Sequence, residues 1–162
     1  MSSAESESET GPAADRIEKK VLLRAPRSRV WRALTNADEF GRWFGARLTG
    51  TFTPGARVRG PITHKGYEHL TLEITIERME PERLVAWRWH PNAVDPAADY
   101  AAEPTTLVTF ELEEVDGGTM VTVVESGFGS IPPARRAQAF RSNSQGWAIQ
   151  MENIKQYVDQ AA

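Results

Sequence analysis

Two polar residues in this chain occupy positions where chemistry could use them. His64 shares the parity of Val58 and Ile62, and Glu125 shares the parity of Val121 and Val123. Successive side chains of a strand alternate between faces, so each would project from an apolar inner wall. An imidazole and a carboxyl on such a wall can orient a bound molecule, or act as base and acid if they approach each other. The competing expectation is that both lie at strand ends and meet solvent. Around them stand large apolar rings. Trp87 and Trp89 lie two apart and share a face, while Trp147 falls on a stripe with Phe140, Asn143, Met151, Ile154 and Val158 at spacings of three and four. Indole rings with one N–H suit a ligand cavity, and they suit plain core packing equally. The expected ligand contacts are Trp87, Trp89, Phe110, Trp147 and Met151, with His64 and Glu125 as the few polar groups.

Other chemistries lack their residues. The 162-residue chain has no cysteine, which excludes disulfides, thiolate zinc sites and a cysteine nucleophile. His64 and His69 have opposite parity and His90 belongs to another strand, so the histidines do not converge as metal ligands. There is no glycine-rich phosphate loop and no G-x-S-x-G elbow. No catalytic residue, metal or cofactor is therefore assigned. A net charge of −3 offers no basic excess for nucleic acid. No apolar run approaches the roughly 18 residues of a membrane span. The first residues, MSSAESESET, have neither the basic and apolar segments of a secretory leader nor a glycine for myristoylation. The expected compartment is the reducing cytoplasm. Arg135, Arg136 and Arg141 oppose a helix dipole at a few tenths of a kcal/mol each. They could meet an anionic head group or an acidic partner, or form a solvated face.

The elements that must position these residues follow from periodicity. Residues 1–14 are Ser, Glu, Ala, Gly and Pro, which bury too little to offset ordering, and a disordered tail is expected there. Residues 15–162 then form one domain, since 162 residues suit a single core. Ile17 to Ala25 reads as a strand, and Pro26 ends it while suiting a helix start. Val30, Trp31 and Leu34 recur at helical spacing, as do Phe40, Trp43 and Phe44. Strands are expected over Arg47 to Phe52, Arg57 to His64, Leu70 to Glu77, Leu84 to His90, Thr106 to Leu112 and Thr119 to Ser126. Asp116-Gly117-Gly118 signals a hairpin, and residues 91–104 form a long loop. A helix from Pro132 to Asp159 would run roughly 40 Å and needs a broad sheet to lie on. Gly146 within it is expected to allow close approach to the sheet or bending around a cavity, and so to influence pocket volume. The order is strand, two short helices, six strands and one long helix: α+β, a curved antiparallel sheet around a C-terminal helix.

This order resembles the helix-grip fold of START domains and the major birch-pollen allergen. Within that superfamily (SRPBCC) the motifs look like the family named for the C-terminal domain of the activator of heat-shock protein 90 ATPase. The likeness is carried by Ala25-Pro26-Arg27-Ser28-Arg29-Val30-Trp31-Arg32-Ala33-Leu34-Thr35 with Trp43-Phe44, by Thr106 to Leu112 with Gly117-Gly118-Thr119 and Glu125-Ser126-Gly127-Phe128, and by Gly146-Trp147. It spans about Arg16 to Val158. Related domains bind lipids, sterols, polyketides and hormones, and some are cyclases or hydrolases. The resemblance implies a binding protein for an apolar or aromatic small molecule. A hydrolase or cyclase using the same cavity, or a chaperone-interaction module whose protein partner is unknown, are the alternatives.

Overall fold

A computed structural model describes residues 15–91 and 100–161. The expected tail, and most of the loop after Pro91, lie outside the described residues. The element order is β1 (Arg16–Leu23), α1 (Arg27–Thr35), α2 (Ala37–Phe44), β2 (Arg57–Pro61), β3 (Thr71–Glu80), β4 (Leu84–Trp89), β5 (Thr106–Val115), β6 (Gly118–Ser126) and α3 (Pro133–Ala161). Short 3-10 turns occupy Tyr100–Ala102 and Phe128–Ser130. The six strands form one antiparallel sheet in the order β1-β6-β5-β4-β3-β2. This is the helix-grip α+β fold, with the 29-residue α3 gripped against the inner face.

Local chemistry explains the two short helices. Pro26 is extended and caps α1 from outside, rather than occupying its first turn. Asn36 ends α1 and begins α2, where its side chain accepts from the Glu39 N–H at 3.0 Å. Asp38 and Glu39 in the first turn and Arg42 in the last both favour the dipole, and Gly45 closes α2 in the left-handed conformation. A carboxyl then ties three helices together. Glu39 accepts from Arg29 at 2.8 Å, Arg32 at 2.7 Å and the Tyr157 hydroxyl at 3.1 Å. Burial pushes this carboxyl up, but the Tyr157 hydrogen bond, the Arg29 charge and the arginine hydrogen bonds together hold it below its ordinary value.

The segment expected as a strand over Arg47 to Phe52 is not one. It makes only one isolated bridge, Thr49 with Arg59, next to a second just before it, Ala46 with Ile62. Five strands, not six, therefore follow the helices. The backbone comes so close at Gly60 that a Cβ there would lie 1.8 Å from the Arg47 carbonyl oxygen. Gly50, at φ 128°, then turns the segment away before a ladder can extend. β2 is correspondingly short and stops at Pro61, which bears on His64 below.

β3 carries the expected alternation, with Leu72, Ile74 and Ile76 buried and Thr71, Glu73 and Thr75 outward. Its register with β4 shifts between Ile76 and Arg78, a bulge that bends the sheet. On the outer face Arg88 pairs with Glu77 at 2.6 Å and Arg57 with Glu73 at 3.1 Å. The inner face and α3 enclose a core that includes Trp87, Phe110, Val121, Val123, Ile154 and Val158, all fully buried.

Candidate functional site

The site grows from one transverse row of the sheet. Trp87 pairs with Val108 across β4 and β5, and Val108 pairs with Glu125 across β5 and β6. These three side chains consequently share the inner face, as does Thr106, two residues before Val108 and opposite Trp89. α3 crosses above them and brings down Asn143 and Trp147, one helical turn apart.

Glu125 is fully buried among these groups. Its Oε1 accepts from the Trp147 indole at 2.8 Å and from Asn143 Nδ2 at 3.0 Å. Its Oε2 accepts from the Trp89 indole at 2.7 Å, the Thr106 hydroxyl at 2.6 Å and Asn143 Nδ2 at 3.1 Å. Four neutral side chains converge on the carboxyl, and among the described residues no cation does. An indole N–H can only donate, so both carboxyl oxygens are acceptors here. Taking a carboxyl out of water costs several kcal/mol, and this dense donor shell offsets it. Expectation is corrected on one point: Glu125 is not at a solvent-exposed strand end. Nor does it touch the cavity, because Trp89, Asn143 and Trp147 stand between.

Those three residues form part of the wall of a cavity of about 770 Å³. Its apolar floor is a triangle of rings from three elements: Phe44 of α2, Trp89 of β4 and Trp147 of α3. Their centroids are 6.1 Å (Phe44–Trp89), 5.8 Å (Trp89–Trp147) and 6.0 Å (Phe44–Trp147) apart. Beyond Arg88 the ladder between β3 and β4 ends, and the start of β3, paired there with β2 alone, forms the opposite wall through Leu70, Leu72 and Thr71. Gly146 adds no side chain to the helix wall; a Cβ placed there meets nothing within 4 Å. Its role in close helix-to-sheet approach is thus overturned. The residue leaves space in the cavity.

The rim is held by Arg135. Its guanidinium pairs with Glu103 at 2.9 Å, donates to the Pro91 carbonyl at 2.9 Å and lies 4.8 Å from the Tyr100 ring centroid. His90 also meets the Glu103 carbonyl, at 3.0 Å. Tyr100 and His90 both line the cavity. Arg135 is therefore engaged in its own chain, while the neighbouring Arg136 bonds the Ile131 carbonyl at 3.1 Å.

Of the seven residues expected at the ligand, Trp89 and Trp147 line the cavity. Trp87, Phe110 and Met151 are buried behind it: Trp87 sits 5.0 Å from Trp89, and Phe110 5.7 Å from Trp147, between ring centroids. Glu125 positions the lining. His64 is misplaced by the parity argument, since β2 ends three residues earlier and His64 lies exposed in a turn, its ring 5.5 Å from Tyr67. Residues missed were Phe44, His90, Tyr100, Asn143 and Gln150. Asn143 carried a visible signal, a polar amide on an otherwise apolar stripe.

A family model described as activator of Hsp90 ATPase homolog 1-like protein matches residues 24–159. The chain belongs to this family. Within the activator-like fold its solved neighbours include a protein from Mesorhizobium loti, 23% identical with a TM-score of 0.71, covering 91% of this chain and 98% of that one. The Aha1 dimer from Colwellia psychrerythraea aligns at 17% identity and TM-score 0.67, over 89% of this chain and 96% of that one. DynU16, described as a protein of the dynemicin biosynthetic locus, aligns at 23% identity and TM-score 0.69, over 91% of this chain but 48% of its own. No curated protein matches the chain significantly. Among the described residues, no helix of this family member is long and apolar enough to cross a membrane.

Proposed function

We propose that this member of the activator-like family is a binding protein for an apolar or aromatic small molecule. The carrying observation is the cavity of about 770 Å³ floored by Phe44, Trp89 and Trp147. That size lies within the roughly 300–1,000 Å³ typical of small-molecule sites. Both indole N–H groups are already committed to Glu125, so the rings offer flat faces to a ligand. Glu125, the carboxyl behind the floor, is sealed by its donors and presents no oxygen to a bound molecule. Absence of cysteine suits the reducing cytoplasm, the setting proposed for this activity.

Titration of intrinsic tryptophan fluorescence with naphthalene dyes, flavonoids and fatty acids tests the reading. Saturable quenching or a blue shift is expected, and it should disappear in a folded Trp89→Ala variant. Silence across all probes would overturn it.

A second reading rests on the family description, which names activation of a chaperone ATPase. Stimulation of a purified heat-shock protein 90 ATPase by this chain, unchanged when the cavity is filled by mutation, would favour a surface role instead.

A further inference from the structure

We infer that the cavity selects ligands carrying a hydrogen-bond donor, such as a phenolic hydroxyl or an N–H on an aromatic frame, and that Asn143 is the residue that selects them. The inference rests on the binding reading above and specifies its ligand class.

The argument begins with the orientation of one amide. Asn143 Nδ2 lies 3.0 and 3.1 Å from the two oxygens of Glu125. Both oxygens already accept indole N–H bonds, so turning the amide over would set oxygen against oxygen. The amide is locked with its nitrogen toward Glu125, and its Oδ1 is left on the other side. Asn143 lines the cavity, and no donor among the described residues meets that oxygen.

The other committed polar groups of the wall do not compensate. Trp89 and Trp147 spend their N–H groups on Glu125. Gln150 donates Nε2 to the Phe44 carbonyl at 2.8 Å and accepts from Asn153 at 3.1 Å, so its amide is used on both sides. His90 Nε2 faces the Glu103 carbonyl, which can only accept, so that nitrogen is the donor. Threonine hydroxyls at the wall can serve either way. Arg88 and Glu73, which also line the cavity, are paired with Glu77 and Arg57. At Asn143 itself, a bound molecule without a donor would leave the amide oxygen desolvated and unpaired. Glu125 is thus a positioning residue that sets the ligand preference through Asn143.

A matched pair of probes tests this: 2-naphthol, which donates, and 2-methoxynaphthalene, which cannot. Competition of both against a bound naphthalene dye is measured on the full chain. The expected result is tighter binding of 2-naphthol by about three- to tenfold, with the ratio collapsing toward one in Asn143→Leu. Asn143→Ala serves if the leucine does not fold, as judged by circular dichroism. Equal affinity of the two probes for the native chain would overturn the donor preference while leaving the binding reading intact. A preference that persists in the folded variant would remove Asn143 from its role. If neither probe binds, the binding reading itself falls and takes this inference with it.

Discussion

The Trp147 indole N–H meets Glu125 Oε1 at 2.8 Å, and this contact joins the last strand to the long helix. Helix position, ring orientation and cavity floor are coupled through it. The same carboxyl fixes Trp89 from β4. A glutamate that never touches the cavity therefore governs two of the three rings that floor it.

Glu125→Leu should be among the most damaging single changes. It strands two indole N–H groups, an amide and a hydroxyl in a dry interior, each costing about 1–3 kcal/mol when unpaired. Relaxation will absorb part of this, and a net loss of about 3–5 kcal/mol is expected, as for breaking a buried polar pair. Glu125→Gln should cost less but still destabilise, because one side of its amide presents N–H to donors. Chemical denaturation checks both, and an unchanged midpoint would refute the network.

The two strand tryptophans should separate stability from binding. Trp87 is fully buried among Trp89, Phe110 and Trp147, so Trp87→Ala should cost about 3–5 kcal/mol. Trp89 is only partly buried and faces the cavity, so Trp89→Ala should cost less stability and more probe affinity. Paired denaturation and fluorescence titrations give the comparison; the reverse ranking would place the cavity elsewhere.

Position 146 separates space from structure. Gly146→Ala adds a Cβ that touches nothing within 4 Å and should stabilise the helix by about 0.5–1 kcal/mol. Gly146→Leu should keep the fold and obstruct the cavity. Melting curves and dye titration read the two effects, and full binding by a folded leucine variant would show the ligand lies elsewhere.

Acid should loosen the three-helix junction at Glu39. Its folded carboxyl is held below the ordinary glutamate value, through Tyr157, Arg29 and Arg32 acting against burial. A carboxyl lowered on folding contributes stability that is fully present above its unfolded value. That contribution is lost as pH falls through the folded one. Stability should therefore decline below about pH 4.5, and Glu39→Gln should flatten that decline while lowering stability at neutral pH. Urea midpoints across pH 3–7 (about one unit apart) would show it; parallel curves for the two proteins would exclude Glu39 as a contributor.

The elements were legible because their signals are local. Leu72, Ile74 and Ile76 alternate, Trp147, Met151, Ile154 and Val158 recur at helical spacing, and Asp116-Gly117 closes a hairpin, each within a few residues. The motifs at Pro26 to Thr35 and at Gly146-Trp147 pointed to the family by the same short-range reading. Errors arose where local pattern met a distant constraint. Arg47 to Phe52 had a strand-like composition, yet the approach to Gly60 and the turn at Gly50 limit it to one isolated bridge.

The site shows the same division. Parity correctly placed Trp87, Trp89, Phe110 and Glu125 on the inner face, because strand alternation is a property of consecutive residues. It failed for His64, because where a strand ends depends on when its partner leaves, and β2 leaves β3 at Pro61. Nothing local distinguishes Trp87, sealed in the core, from Trp89, open to the cavity. That difference arises where β4 separates from β3 beyond Arg88 and α2 brings Phe44 across the gap. Likewise, composition and spacing supplied a carboxyl on an apolar wall, but only the packing of α3 over β6 decided that its partners are Asn143 and Trp147. Side-chain direction follows from neighbours in sequence, whereas an empty volume is what remains after every long-range contact has been made, and so only the tertiary structure could locate it.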